Sequence, residues 1–195
     1  CQQRDWCDGH AGRRDGEGAR GVDQPHLRTA DGGGGAAGPA DIEAWRQRLN
    51  PDSLGRADAA TGREVWIRQC AVCHRLHGEG GAIGPDLTGY ERDNLDFLLP
   101  SIVDPSLAIR EEYIAFNITT TDAATLTGLV TELTKTSVTL LDVSGNKTVI
   151  PRTNIKSMQA SHTSLMPEGL LDAFNDQQVR DLFAYLMASP PAPKK

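Results

Sequence analysis

The sequence predicts a mainly α-helical domain that is split by a small five-stranded β-barrel and preceded by a flexible arm. Three observations carry this. The stretches "DAATGREVWIRQC" and "NDQQVRDLFAYLMA" repeat apolar residues with helical period, on either side of the chain's centre. Between them lies a block rich in Val, Ile and Thr, whose apolar residues alternate and whose runs are broken by turn residues. The first forty residues hold half of the 20 glycines and almost no large aliphatic side chains.

Residues 1–40, with the run "DGGGGAAGPA", cannot bury enough apolar surface to offset the entropy of ordering, and are expected to form an arm or linker. "DIEAWRQRL" then offers Asp41 as an N-cap, with Ile42, Trp45 and Leu49 on one face of a short helix that "NPDS" ends. A second helix is capped by Asp58 or by Thr61, the latter with Glu64 in capping-box spacing. Gly62 and Trp66 fall four apart on one of its faces. "GEGGAIGPDLTG" reads as loop, and "RDNLDFLLPSIV" as a helix capped by Asp93 and limited or kinked by Pro100. "DPS" is a turn.

Five strands follow, in "EEYIAFNITTT", "TLTGLVTEL", "SVTLLDV", "KTVI" and "IKSMQA", with a helical turn at "PRTN". So many short strands suit a small SH3-like barrel better than a flat sheet, since closure removes exposed edges. The last helix has Asn175 as N-cap, Gln178 at its third position and the stripe Val179, Leu182, Phe183, Leu186. The domain plan is therefore an arm (1–40), a discontinuous helical domain (41–109 and 163–195) and an inserted barrel (110–162).

Composition excludes several functions. A net charge of −6 without a basic cluster argues against nucleic acid. The insert 110–162 is neutral, with five basic and five acidic residues, so the negative charge sits on the helical remainder. No apolar run is long enough to span a bilayer. The chain starts without Met or a basic-then-apolar leader, as a processed chain or a piece of a longer one would. Four cysteines do not make a disulfide scaffold. Cys1 and Cys7 are read as a local disulfide or free thiols, in preference to a lipid anchor on Cys1, and His10 in "CDGH" is not counted as a ligand.

The chemistry lies in "CAVCHRLH" at 70–77. Two thiols separated by two residues can each add to one vinyl group of a porphyrin, and a His directly after the second supplies one axial bond to iron. Cys70, Cys73 and His74 thus predict one covalently attached haem c. A thioredoxin-like pair would need a strand–helix setting that this stretch lacks. A zinc site using Cys70, Cys73 and His77 would leave His74 unexplained and has no second cysteine pair.

With these residues, the stretch from about Asp58 to Ser189 resembles a class I cytochrome c. The helix "TGREVWIRQCAVCH", the "GPDL" loop, a late Met-Pro and the "VRDLFAYL" helix come in that family's order. More narrowly, "CAVCHRLHGEGGAIGPDLTG", "SIVDPS", "REEY" and "SLMPEGLLD" resemble a haem-binding domain of planctomycetes and verrucomicrobia, often found at the C-terminal end of large secreted dehydrogenases. The resemblance implies that the first and last helices cross, with Gly62 and Trp66 against Leu182 and Tyr185. It also implies that the Pro85 carbonyl accepts the Nδ1–H of His74, which orients the imidazole.

The ligand on the other face of the iron decides the function. Met187 lies in the last helix as core filling, and Met158 in the last strand. Met166 stands in "SLMPEG", where Pro167 biases it towards an extended backbone, and it is the position the resemblance implies for the distal ligand. His162 at the end of the insert, and an empty or water-filled position, are the alternatives. His77, three residues from His74, is badly placed for the opposite face and is read as a surface residue.

Met/His ligation raises the reduction potential and fills both axial positions. The reading is a monohaem electron-transfer protein rather than an enzyme, exchanging electrons with a redox partner such as a dehydrogenase. The alternative is a gas-binding or weakly peroxidatic haem protein if Met166 leaves the iron. Covalent haem attachment places the protein in the periplasm or otherwise outside the cytoplasm.

Overall fold

The computed structural model describes residues 38–189, so Cys1, Cys7, His10 and most of the expected arm lie outside the described residues. Helix α1 (Pro39–Arg48) reaches into the stretch read as arm. Its N-cap is Gly38, not Asp41; the Asp41 carboxylate instead accepts from the Gly38 N–H at 2.9 Å. Pro39 sets the first helical φ, which moves the start two residues upstream of the expected cap. The "NPDS" stretch does not simply stop the helix. It begins the single turn α2 (Pro51–Leu54), capped by Asn50.

Helix α3 (Ala59–Gln69) is capped by Asp58, whose carboxylate accepts from the Ala60 N–H. Thr61 donates its hydroxyl to that same carboxylate, so the alternative box with Glu64 does not form. Past α3, part of the Gly-rich stretch read as loop pairs into a minimal hairpin, β1 (Arg75–Leu76) with β2 (Glu79–Gly80). Helix α4 (Leu95–Val103) is capped by Asn94 rather than Asp93, and it carries Pro100 inside it. Proline there costs the one bond to the Asp96 carbonyl, which a helix packed through Leu98, Leu99 and Val103 tolerates.

The insert contains β3 (Ala115–Thr120), β4 (Thr125–Leu133), β5 (Ser137–Leu141), β6 (Lys147–Pro151) and β7 (Ile155–Ala160). A short 3₁₀ turn, Arg152–Asn154, joins the last two strands where "PRTN" stands. All pairings are antiparallel, in the order β6-β5-β4-β3-β7. The expected closed SH3-like barrel is not seen: β6 and β7 are the two edges of an open sheet. Both edges are instead protected chemically, by Lys147 and Pro151 on one and Lys156 on the other, so closure is not needed to block edge-to-edge pairing. Ile118, Val138, Leu140 and Ile150 form the core of the sheet.

Helix α5 (Asp176–Met187) has the capping box read from the sequence, with Asn175 and Gln178 each accepting from the other's backbone N–H at 3.0 Å. It crosses α3 at Gly62, where any Cβ would overlap the carbonyl oxygen of Asp181. Trp66 and Phe183 are wholly buried beside this crossing, and the rings of Trp66 and Tyr185 stand 5.7 Å apart. Each such side chain contributes roughly 1.5–3 kcal/mol of burial. Two buried charges reinforce the packing. Asp181 accepts from the Asp58 N–H at 2.8 Å and so ties α5 to the start of α3. Arg92 donates to the carbonyls of Leu186 and Ala188, where the C-terminal dipole of α5 favours a cation.

Candidate haem-binding site

The site begins where α3 ends. The Cys70 N–H closes the helix on the Trp66 carbonyl at 2.8 Å, and the Cys70 carbonyl then accepts from both Cys73 and His74, at 3.1 and 2.9 Å. One tight reversal thus groups two thiols and an imidazole. Neither cysteine is in a disulfide. Burial pushes the Cys70 thiol up to about 12, with Cys73 nearby adding to the effect, and burial also raises the Cys73 thiol.

His74 is fixed from two sides. Its Nδ1 lies 3.1 Å from the Pro85 carbonyl, and since a carbonyl only accepts, Nδ1 carries the proton and Nε2 keeps its lone pair. Burial lowers the pKa of the ring, opposed in part by that hydrogen bond, which favours the neutral imidazole. The loop holds this geometry through glycine: a Cβ at Gly84 would sit 2.7 Å from Cε1 of His74. The Gly84 N–H also donates to the Cys73 carbonyl at 2.8 Å, and that of Gly81 to the Ala71 carbonyl at 2.7 Å. A neutral imidazole with Nδ1 occupied and Nε2 free is a ready donor to iron.

The three methionines differ in setting. Met187 packs against the helical core and Met158 against that of the sheet. Met166 belongs to neither core; it is half-buried in the stretch between β7 and α5, outside regular structure. His162 is exposed. His77 is half-buried rather than a plain surface residue. It takes a left-handed backbone (φ 53°), donates its N–H to Thr88 Oγ1 at 2.9 Å and sets its ring edge-on to Tyr185.

The competing chemistries fit this arrangement poorly. Burial raises both thiols, Cys70 up to about 12, which disfavours thiol exchange at this pair. Among the described residues, no three His, Cys, Asp or Glu side chains gather to hold a metal ion. Two thiols two residues apart, followed by an imidazole whose Nδ1 is held by Pro85, are a donor set that suits a haem attached through Cys70 and Cys73 and bound by His74.

Several residues that shape the site escaped sequence reasoning. Arg92 and Asp181 act through partners 94 and 123 positions away, and nothing in their neighbours marks them. Ser106 of the "DPS" turn and Ser164 of "SLMPEG" carry no local sign that they meet. Gly84 alone had a local signal, standing before Pro85 in a loop downstream of the cysteine motif.

Compared with known families, residues 59–125 match the family model of cytochrome c. The match begins at α3 and supports a haem-based electron carrier. Comparison with curated proteins finds no match. Among the described residues, no helix is long and apolar enough to cross a membrane.

Proposed function

We propose that this chain is a monohaem c-type electron-transfer domain, with Cys70 and Cys73 as the attachment residues, His74 as proximal ligand and Met166 as distal ligand. The observation that carries the reading is the grouping of both thiols with an imidazole whose Nδ1 is held by Pro85. The group supplies reversible one-electron chemistry when bound. The protein's own residues do the rest. Pro85 fixes the tautomer of His74, Gly84 leaves room for its ring, and burial favours its neutral form.

Met166 is preferred over His162 because its side chain is half-buried and serves neither core, whereas His162 is exposed. In this proposal 41–109 and 163–195 form the haem domain and 110–162 is the insert, of SH3-like strand order though open. The narrower kinship with the planctomycete and verrucomicrobial haem-binding domain belongs to the same proposal. So does a dehydrogenase as redox partner, reached through a basic surface that complements the acidic helical part. Thioether attachment implies assembly outside the cytoplasm, in the periplasm or beyond.

The test is spectroscopic. Ferric holoprotein should show the weak far-red sulfur-to-iron band, and Met166→Ala should abolish it while leaving haem covalently attached. A wild-type protein without that band, or one whose reduced form takes up carbon monoxide readily, would favour gas binding or peroxidase chemistry and overturn the carrier reading.

A further inference from the structure

The stretch that bears Met166 has no helix or strand of its own, yet its backbone N–H groups are not left to solvent. The Thr163 N–H donates to Ser161 Oγ and the Met166 N–H to Ser164 Oγ, each at 3.1 Å, so two successive serine turns shape the loop. Local turns set a curvature but fix no position in space. The positional link is the Ser164 N–H, which donates to Ser106 Oγ at 3.2 Å across a sequence separation of 58. Ser106 stands in the turn that closes α4, where the Leu107 N–H donates to the Asp104 carbonyl at 3.0 Å, and the preceding Asp104 and Pro105 are buried. The anchor is therefore rooted in the helical core.

These bonds also span the neck of the insert. The chain leaves the helical part after Ser106, runs through five strands and returns at Ser161, whose N–H donates to the Ala115 carbonyl at 2.7 Å. The Met166 loop is thus held at one end by the first strand of the sheet and in its middle by Ser106.

We infer that Ser106 is a positioning residue for the distal ligand: its hydroxyl, through Ser164, ties the Met166 loop to the end of α4 across the neck of the inserted sheet. This rests on Met166 being the distal ligand. Loss of the Ser106 hydroxyl leaves the Ser164 N–H without its partner and frees the loop to open, while the attachment residues on α3 and its following turn are untouched.

The test uses ferric holoprotein and imidazole as the entering ligand, whose binding rate at saturation reports opening of the distal loop. Ser106→Ala should raise that rate about fivefold, the change expected for a hydrogen bond of about 1 kcal/mol, and weaken the far-red band. Ser106→Thr, which keeps the hydroxyl, should stay within twofold of wild type, as should Leu107→Ala, an exposed neighbour. All variants should keep covalent haem and helical circular dichroism. A Ser106→Ala rate within twofold of wild type, with the far-red band present in both, would overturn the positioning role and leave Met166 as ligand. So would equal acceleration in Ser106→Thr or Leu107→Ala. A wild type lacking the band removes the distal-ligand reading, and this inference falls with it.

Discussion

The helical part and the inserted sheet solve the same problem of burial in different ways. In the sheet, ladders from β6 through to β7 pair the backbone, and the core of Ile118, Val138, Leu140 and Ile150 is made of branched aliphatic side chains alone. In the helical part, packing depends on backbone contact at Gly62 and on buried Asp181 and Arg92. Among the described residues, every buried side-chain polar atom without a hydrogen bond lies outside the sheet: on Arg46, Trp66, His77, Arg92 and Asp104. The sheet is held by its own ladders, and the helical part by a few contacts between residues far apart in the chain.

Three perturbations test this contrast, in decreasing order of effect. The first strikes the helical part at its closest approach. Gly62→Val places side-chain atoms against the Asp181 carbonyl, a backbone atom that cannot swing aside. The loss in denaturant unfolding should exceed the roughly 3 kcal/mol upper end of ordinary overpacking. Near-native stability in this variant would mean that α3 and α5 can separate without cost, and the contrast would collapse.

The second strikes the sheet. Ile118→Ala removes a fully buried side chain from the smaller core and should cost about 2–5 kcal/mol by denaturation monitored on the strands. If the two parts are independent, the visible spectrum of the holoprotein stays unchanged at denaturant concentrations where the sheet has melted. Simultaneous loss of both signals would show that one cooperative unit contains both.

The third effect is small and compares one carboxylate from each part. Hydrogen bonds hold Asp58 below the ordinary 3.8, from the Thr61 hydroxyl first and then the Ala60 N–H. Asp142, at the β5–β6 turn, is held below it by the Asn146 backbone first and then the Asn146 side chain. Because the folded pKa is the lower one, the unfolded state binds more protons as acid is added. Each contribution is therefore complete above 3.8 and is lost as pH falls through the folded value. Asp58→Asn should flatten the acid limb of stability for the helical signal only, and Asp142→Asn for the sheet signal only. Crossed effects would link the two parts electrostatically.

Much of this molecule could be read along the chain because its information is local. The attachment motif needs only the spacing of Cys70, Cys73 and His74. The capping box of α5 involves two residues three apart, and the five strands of the insert announce themselves by alternation between turn residues. Caps closer than that blurred. Asp93 and Asn94 are both good N-caps, and only packing of Leu98 and Leu99 decides which of them starts the helix.

By itself, then, the sequence determined the main helices and the five strands of the insert in their order, and the helical face that α5 buries, since each follows from periodicity or spacing within a turn or two. Tertiary structure alone decided that the sheet stays open, that Asp181 and Arg92 are buried against helix ends, and that Ser106 meets Ser164. Those outcomes depend on which distant backbone groups are left to be paired once the cores have packed, and no local pattern encodes that.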